Sequence, residues 1–297
     1  MRLGVHVPIA GGLESAVGWA SRLSCTTMQI FSRSPRGGSS TPLPQNLVER
    51  FHAQRLAAGI DPLAVHGPYI INLASPDRAM WQRSVALYRE EYQRAVKLQA
   101  QYLVTHVGSH KGTGEEAGIA RVAQALNKTL EGQPGTTMIL LENTAGSGQG
   151  IGYQFEHLAA IRDQAEDKDR IGVCLDTAHL FASGYAIHTE AGLAQTIKSF
   201  DETVGLKHLK LIHLNDSKVP FESRVDRHWH IGEGFIGRDG FKRIVRHPAM
   251  QAVPWILETP KSTEHEDEKN LNTVRELASV SSASKPKRPR KQAAKVR

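Results

Sequence analysis

MILLENTAGSGQGIGYQFEHLAAIRDQAEDKDRIGVCLD, residues 138–176, contains the unit from which the chain is built. It opens on a short apolar run, MILLE (138–142), crosses a glycine-rich turn, takes helical spacing near 155–164 and closes on a second apolar run, IGVCLD (171–176). Continuous apolar runs of this length read as strands buried on both faces, and the order strand, helix, strand reads as one parallel unit. Working outward, the same alternation recurs. Strand candidates are LGVHV (3–7), TMQIF (27–31), PLAVH (62–66) and YLVTH (102–106) on one side, with LKLIH (209–213) and VPWILE (253–258) on the other. Helical spacing falls near 13–22, 44–58, 77–99, 115–130, 190–204, 239–246 and 265–278, with Ser75-Pro76 and Thr189 as starts. Eight alternations predict an α/β protein, a (β/α)8 barrel with its active site at the carboxyl ends of the strands. A doubly wound open sheet is the structural rival. Nucleotide binding of the usual kind finds no support, because there is no P-loop and Gly11-Gly12 lacks the full dinucleotide spacing.

The 297 residues are 40% hydrophobic and 23% charged, which suits a globular core and excludes fibrous, collagen-like and wholly disordered chains. Two cysteines, Cys25 and Cys174, lie outside any CxxC pattern, so neither a disulfide framework nor a thiolate metal site is expected, and a reducing compartment is favoured. No apolar run approaches the roughly 20 residues that span a bilayer, and the opening MRLGVHVPIAGG lacks the long apolar stretch that a signal peptide needs. The expectation is a cytoplasmic protein with no membrane partner. The net charge of +7 resides in the last thirteen residues, Lys285 to Arg297, which hold seven basic residues and no acid. Residues 1–278 therefore read as the barrel domain and 279–297 as a disordered basic tail. Such a tail suits phosphate contacts, a nuclear-import-like run or simple solubility.

Chemistry gathers where the strands stop. His66, His106, Glu142, Asp176, His213 and Glu258 end the third to eighth strands, His179 follows Asp176 by three residues, and RVDRHWHIGEG (224–234) adds Asp226 and His228. In a barrel these positions converge on one mouth. Five imidazoles and four carboxylates in one place read as a metal centre, since divalent cations resolve the repulsion and burial cost of the acids. Donors without cysteine suit zinc or manganese, with iron also open. Nine donors are too many for one ion and enough for two or three, with three favoured. His6, His110 and His230 lie near the mouth as supporting candidates. His52, His157, His188, His208, His247 and His265 read as solvated or capping residues.

The strings HGPYIINLASP (66–76), HVGSH (106–110), LENTAG (141–146), GVCLDTAHLFASGY (172–185), HLNDSK (213–218), SRVDRHWHIGEGFIG (223–237) and ILET (256–259) resemble the endonuclease IV family, zinc-dependent abasic-site endonucleases of base excision repair. The resemblance covers Arg2 to Leu277 and implies a (β/α)8 barrel with three zinc ions, manganese being an alternative metal. It assigns His66, His106 and Glu142 to one ion. Glu142, Asp176, His213 and Glu258 go to a second, and His179, Asp226 and His228 to a third. It further implies that Glu142 and Glu258 are catalytic, and that Arg36, Tyr69 and Ile70 contact double-stranded DNA. The implied reaction is hydrolysis of the phosphodiester 5′ to an abasic site, leaving a 3′-hydroxyl and a 5′-deoxyribose phosphate, with 3′-phosphodiesterase activity on blocked ends, by a monomer. Clustered divalent ions suit this chemistry, which needs an activated nucleophile, charge neutralisation and a stabilised leaving group. Two other readings compete. A sugar isomerase or epimerase would use Glu142, Asp176, His213 and Glu258 alone, and a tail-driven nucleic-acid binder would need none of the nine.

Overall fold

A computed structural model of the chain describes residues 1–36 and 42–279. Eight parallel strands close into a barrel: β1 (Leu3–Val7), β2 (Met28–Phe31), β3 (Leu63–His66), β4 (Tyr102–His106), β5 (Met138–Glu142), β6 (Ile171–Asp176), β7 (Leu209–His213) and, last in the chain, β10 (Trp255–Leu257). Each strand neighbours the next in sequence, and β10 seals the ring between β7 and β1. The open-sheet alternative is thereby excluded. Between β7 and β10, β8 (Asp216–Ser217) and β9 (His228–Trp229) form a small antiparallel pair.

Ten α-helices accompany the strands among the described residues: α1 (Leu13–Arg22), α2 (Gln45–Ala57), α3 (Arg78–Lys97), α4 (Glu115–Leu130), α5 (Phe155–Asp163), α6 (Thr177–Ala182), α7 (Glu190–Thr203), α8 (Gly237–Arg246), α9 (Pro248–Gln251) and α10 (Glu264–Ala278). Their starts follow local chemistry. Thr189 caps α7 by accepting from the Gly192 amide, and Thr263 with Glu266 makes a reciprocal capping box on α10. For α3 the cap is Asp77, two residues beyond Ser75, because its carboxylate accepts from the Met80 amide. No described helix is long and apolar enough to cross a membrane. The basic tail of 280–297 and the segment 37–41 lie outside the described residues.

The strand pleat places the chemistry. Two apolar populations are buried separately: a large one between sheet and helices, and a small one inside the barrel made of Ala64, Val104, Leu140, Cys174, Leu211 and Ile256. Each member of the inner group stands two residues before His66, His106, Glu142, Asp176, His213 or Glu258. Side chains alternate with period two along a strand, so the residue two further on points into the same lumen, one layer nearer the mouth. The apolar six form a dry floor, and the polar six stand on it.

Candidate metal centre

Glu142 is the hub. Its carboxylate is fully buried, with Oε2 at 3.1 Å from His66 Nε2 and 3.0 Å from His106 Nε2, and Oε1 at 2.8 Å from His213 Nδ1. Glu258 Oε2 lies 3.2 Å from the same His213 nitrogen. On the other side, His179 Nε2 and His228 Nε2 stand 3.4 Å apart, and Asp226 Oδ1 lies 3.2 and 3.4 Å from them. Donor atoms thus gather into three sets: His66, His106 and Glu142; Glu142, Asp176, His213 and Glu258; and Asp176, His179 and His228, with Asp226 alongside.

These donors suit resident metal ions. A ligating imidazole usually donates its second nitrogen to an oxygen, which fixes the tautomer and frees the first. His66 Nδ1 does so to Gly67 O (2.7 Å), His179 Nδ1 to Asn143 O (2.9 Å), His228 Nδ1 to Glu258 O (3.2 Å) and His213 Nε2 to Gln29 Oε1 (2.9 Å). The free nitrogens then converge on carboxylates or, for His179 and His228, on each other. Two lone pairs 3.4 Å apart repel unless a cation or proton lies between them.

Local sequence builds this geometry. Asp176 ends β6 and also caps α6, its Oδ1 accepting from the His179 amide at 2.8 Å, so the DTAH string aims two donors from one turn. In the β8–β9 pair, Ser217 stands opposite His228, which carries that imidazole over the mouth. The buried carboxylate of Asp216 accepts from the amides of Ser217, Gly232, Gly234, Ile236 and Gly237 and so folds the following loop around itself. Gly234 is needed there, since a Cβ would stand 2.3 Å from Ser217 O.

Charges in the cluster compensate one another. Burial would push Glu142 up, but the His106 and His213 imidazoles hold its carboxyl well below the usual range. Glu258 behaves alike: burial raises it, and His213, the hydrogen bond from His6 and the charge of His66 outweigh that. Burial pushes His179 and His213 down, yet neighbouring groups raise both well above an ordinary imidazole: Asp176, Asp226 and Glu142 at His179, and Cys174, Glu258 and Glu142 at His213. Protons thus occupy the place that cations would take, and metal binding must release them.

A family model described as a xylose isomerase-like TIM barrel matches residues 17–280. The chain is 44% identical over 281 residues to "Probable endonuclease 4" of Methanosphaerula palustris, covering 94% of this chain and 98% of that protein. It is 42% identical to the protein of the same name from Chloroflexus aggregans, covering 95% and 99%. The endonuclease IV structure from Thermus thermophilus superposes with a TM-score of 0.83 at 36% identity, covering 93% of this chain and 98% of that one. The chain belongs to the endonuclease IV family. Likeness to the D-psicose 3-epimerase of Clostridium cellulolyticum, TM-score 0.68 at 14% identity, reflects the fold alone.

Within this endonuclease IV family barrel, the nine donors read from the sequence all come together. Tyr69 and Ile70 project from the turn after β3, 65% and 52% exposed, and Tyr69 packs edge-on against Phe31 and at a tilt to His66, with ring centroids 5.4 and 5.9 Å away. Beside the donors a cleft of about 320 Å³ is lined by Tyr69, Asn72, His106, Lys111, His179 and Asp226 among others. A larger cavity of about 650 Å³ lies at α7 and α8, where none of the nine donors lines it. Arg36 is exposed at the end of the described β2 loop. His6 reaches Glu258 Oε1 at 3.1 Å, whereas His110 accepts from the Gly114 amide and His230 meets Asn270. Two of the histidines expected to be solvated or capping are packed instead: His157 is buried and accepts from the Gly152 amide, and His188 lies against Phe181 and Phe221. His247 does cap, accepting from the Ala249 amide at the start of α9.

Four further residues escaped the sequence reading. Asn143 Oδ1 accepts from the Asp176 amide, Asn215 bonds both Asp176 Oδ2 (2.6 Å) and the Glu258 amide (2.7 Å), Asp216 organises its loop, and Gln29 bridges His213 and Glu258. In the sequence each is a polar residue within, or one to three residues beyond, an otherwise apolar strand pattern, which does not say where it points.

Proposed function

We propose that this DNA-cleaving hydrolase hydrolyses the phosphodiester on the 5′ side of an abasic site in duplex DNA, leaving a 3′-hydroxyl and a 5′-deoxyribose phosphate, and trims blocked 3′ ends, with three zinc ions held by the nine donors. The observation that supports the reading is the three neighbouring donor sets, two of which share Glu142, with eight of the nine expected ligands in them and Asp226 beside His179 and His228. A sugar-epimerase reading would leave His66, His106, His179, Asp226 and His228 without a role.

When bound, the ions supply charge neutralisation at the phosphate and activation of a water. The protein's own groups do the rest. Glu142 holds two donor sets in register, and Glu258, less buried than Glu142, helps to orient the attacking water. Tyr69 and Ile70 act as a wedge beside the cleft and Arg36 as a phosphate contact. An abasic nucleotide enters the cleft readily because it has no base to unstack, which costs an intact nucleotide a few kcal/mol. The monomeric protein acts in the cytoplasm. Native mass spectrometry tests the metal assignment: three zinc ions per chain are expected, and a single ion would return the site to the mononuclear epimerase reading.

A further inference from the structure

We propose that Gln29 is a positioning residue of the metal centre, its buried amide setting the tautomer of His213 and the orientation of Glu258 at once. The proposal rests on the metal-dependent reading above.

Gln29 sits in the middle of β2, where the pleat turns it into the barrel, with His6 of β1 and Ala64 of β3 as its register partners. It is completely buried. The inner positions of other strands at this depth are filled by Ala64, Val104, Leu140 and Ile256, so packing alone is served by an apolar side chain. A buried amide is stabilising only if both of its ends are bonded. Here both are. Oε1 lies 2.9 Å from His213 Nε2, and Nε2 lies 2.6 Å from Glu258 Oε1.

The polarity of these bonds makes the residue specific. A carbonyl oxygen only accepts, so His213 must carry its proton on Nε2, and its lone pair is left on Nδ1. That nitrogen faces Glu142 Oε1 at 2.8 Å and Glu258 Oε2 at 3.2 Å, where the shared ion belongs. The amide NH2 only donates, so it takes Glu258 Oε1 and leaves Oε2 toward the same point. His66, His179 and His228 fix their tautomers on backbone carbonyls, which no substitution of a neighbour removes. His213 uses a side chain, so its site can be loosened by one mutation.

The test is zinc competition against a chromophoric chelator, resolved ion by ion, on full-length wild type, Gln29→Met and Gln29→Glu. Methionine keeps the volume and loses both bonds; glutamate keeps the shape and, when ionised, loses the donor. One ion should bind about 10- to 100-fold more weakly in each variant while the others keep wild-type affinity. Melting of the chelated proteins reports the cost of each substitution to the fold separately, and if one variant does not fold the other decides. Wild-type affinity for every ion, or equal weakening of all of them, would overturn the proposal. A wild type that holds no ions would overturn the metal reading itself, and this proposal with it.

Discussion

Replacing Glu142 by Gln changes one atom in shape and one unit of charge in a fully buried hub. The carboxylate stands within 3.1 Å of nitrogens on His66, His106 and His213 and belongs to two of the three donor sets. Two unit charges about 4 Å apart interact by about 4 kcal/mol at an effective dielectric near 20, and a divalent ion at coordination distance gains at least that from the carboxylate. Taking about 4 kcal/mol as the floor, zinc affinity should fall by roughly 10³-fold. Because both sets use the residue, two ions should be affected together. Incision of an abasic duplex should fall by at least the same factor, while circular dichroism stays that of the wild type. Zinc competition and single-turnover incision measure the two effects. A variant that loads zinc and cleaves within about tenfold of wild type would refute the reasoning, since no arrangement centred on Glu142 tolerates the loss of its charge.

Three other expectations follow from particular contacts. Chelated protein should lose stability as pH rises above about 6.5, because His106, His179 and His213 are raised in the folded state, so their contribution is complete below the unfolded imidazole value and is lost as pH rises through the folded ones. Zinc-loaded protein should not show this decline in urea midpoint, and parallel curves for the two forms would contradict the assignment. Asp216→Ala strands five backbone amides, so urea unfolding should report a loss of about 3 kcal/mol or more and hydrogen exchange should rise over 232–237; a loss under about 1 kcal/mol would deny Asp216 its role. Tyr69→Ala should weaken binding to an abasic duplex about tenfold or more by fluorescence anisotropy with unchanged zinc content, and unchanged binding would remove the wedge.

The barrel was legible because parallel strands buried on both faces leave continuous apolar runs, and six of the nine donors because each closes such a run, whereas His179, Asp226 and His228 stand in the segments that follow. The same period-two pleat that hid Ala64, Val104 and Leu140 inside the barrel delivered His66, His106 and Glu142 to its mouth. Short elements were not legible. Helix α6 has six residues, too few for helical periodicity to register, and the β8–β9 pair has two residues a strand. Gln29 is the one polar residue inside the apolar strand TMQIF, and such a residue looks the same whether it faces solvent, lumen or ligand; only closure of the ring brings it against His213, 184 positions away. Asn215 is a similar case, tying Asp176 to Glu258 across 39 and 43 positions.

The central claim is metal-dependent cleavage at abasic sites, and the most direct measurement is incision of an end-labelled duplex carrying one abasic analogue beside an undamaged control. The chain should cut once, on the 5′ side of the lesion, leave the control intact, lose activity after prolonged chelation and regain it with zinc or manganese. A zinc-loaded protein that leaves the abasic duplex uncut, or cuts both duplexes equally, would contradict it.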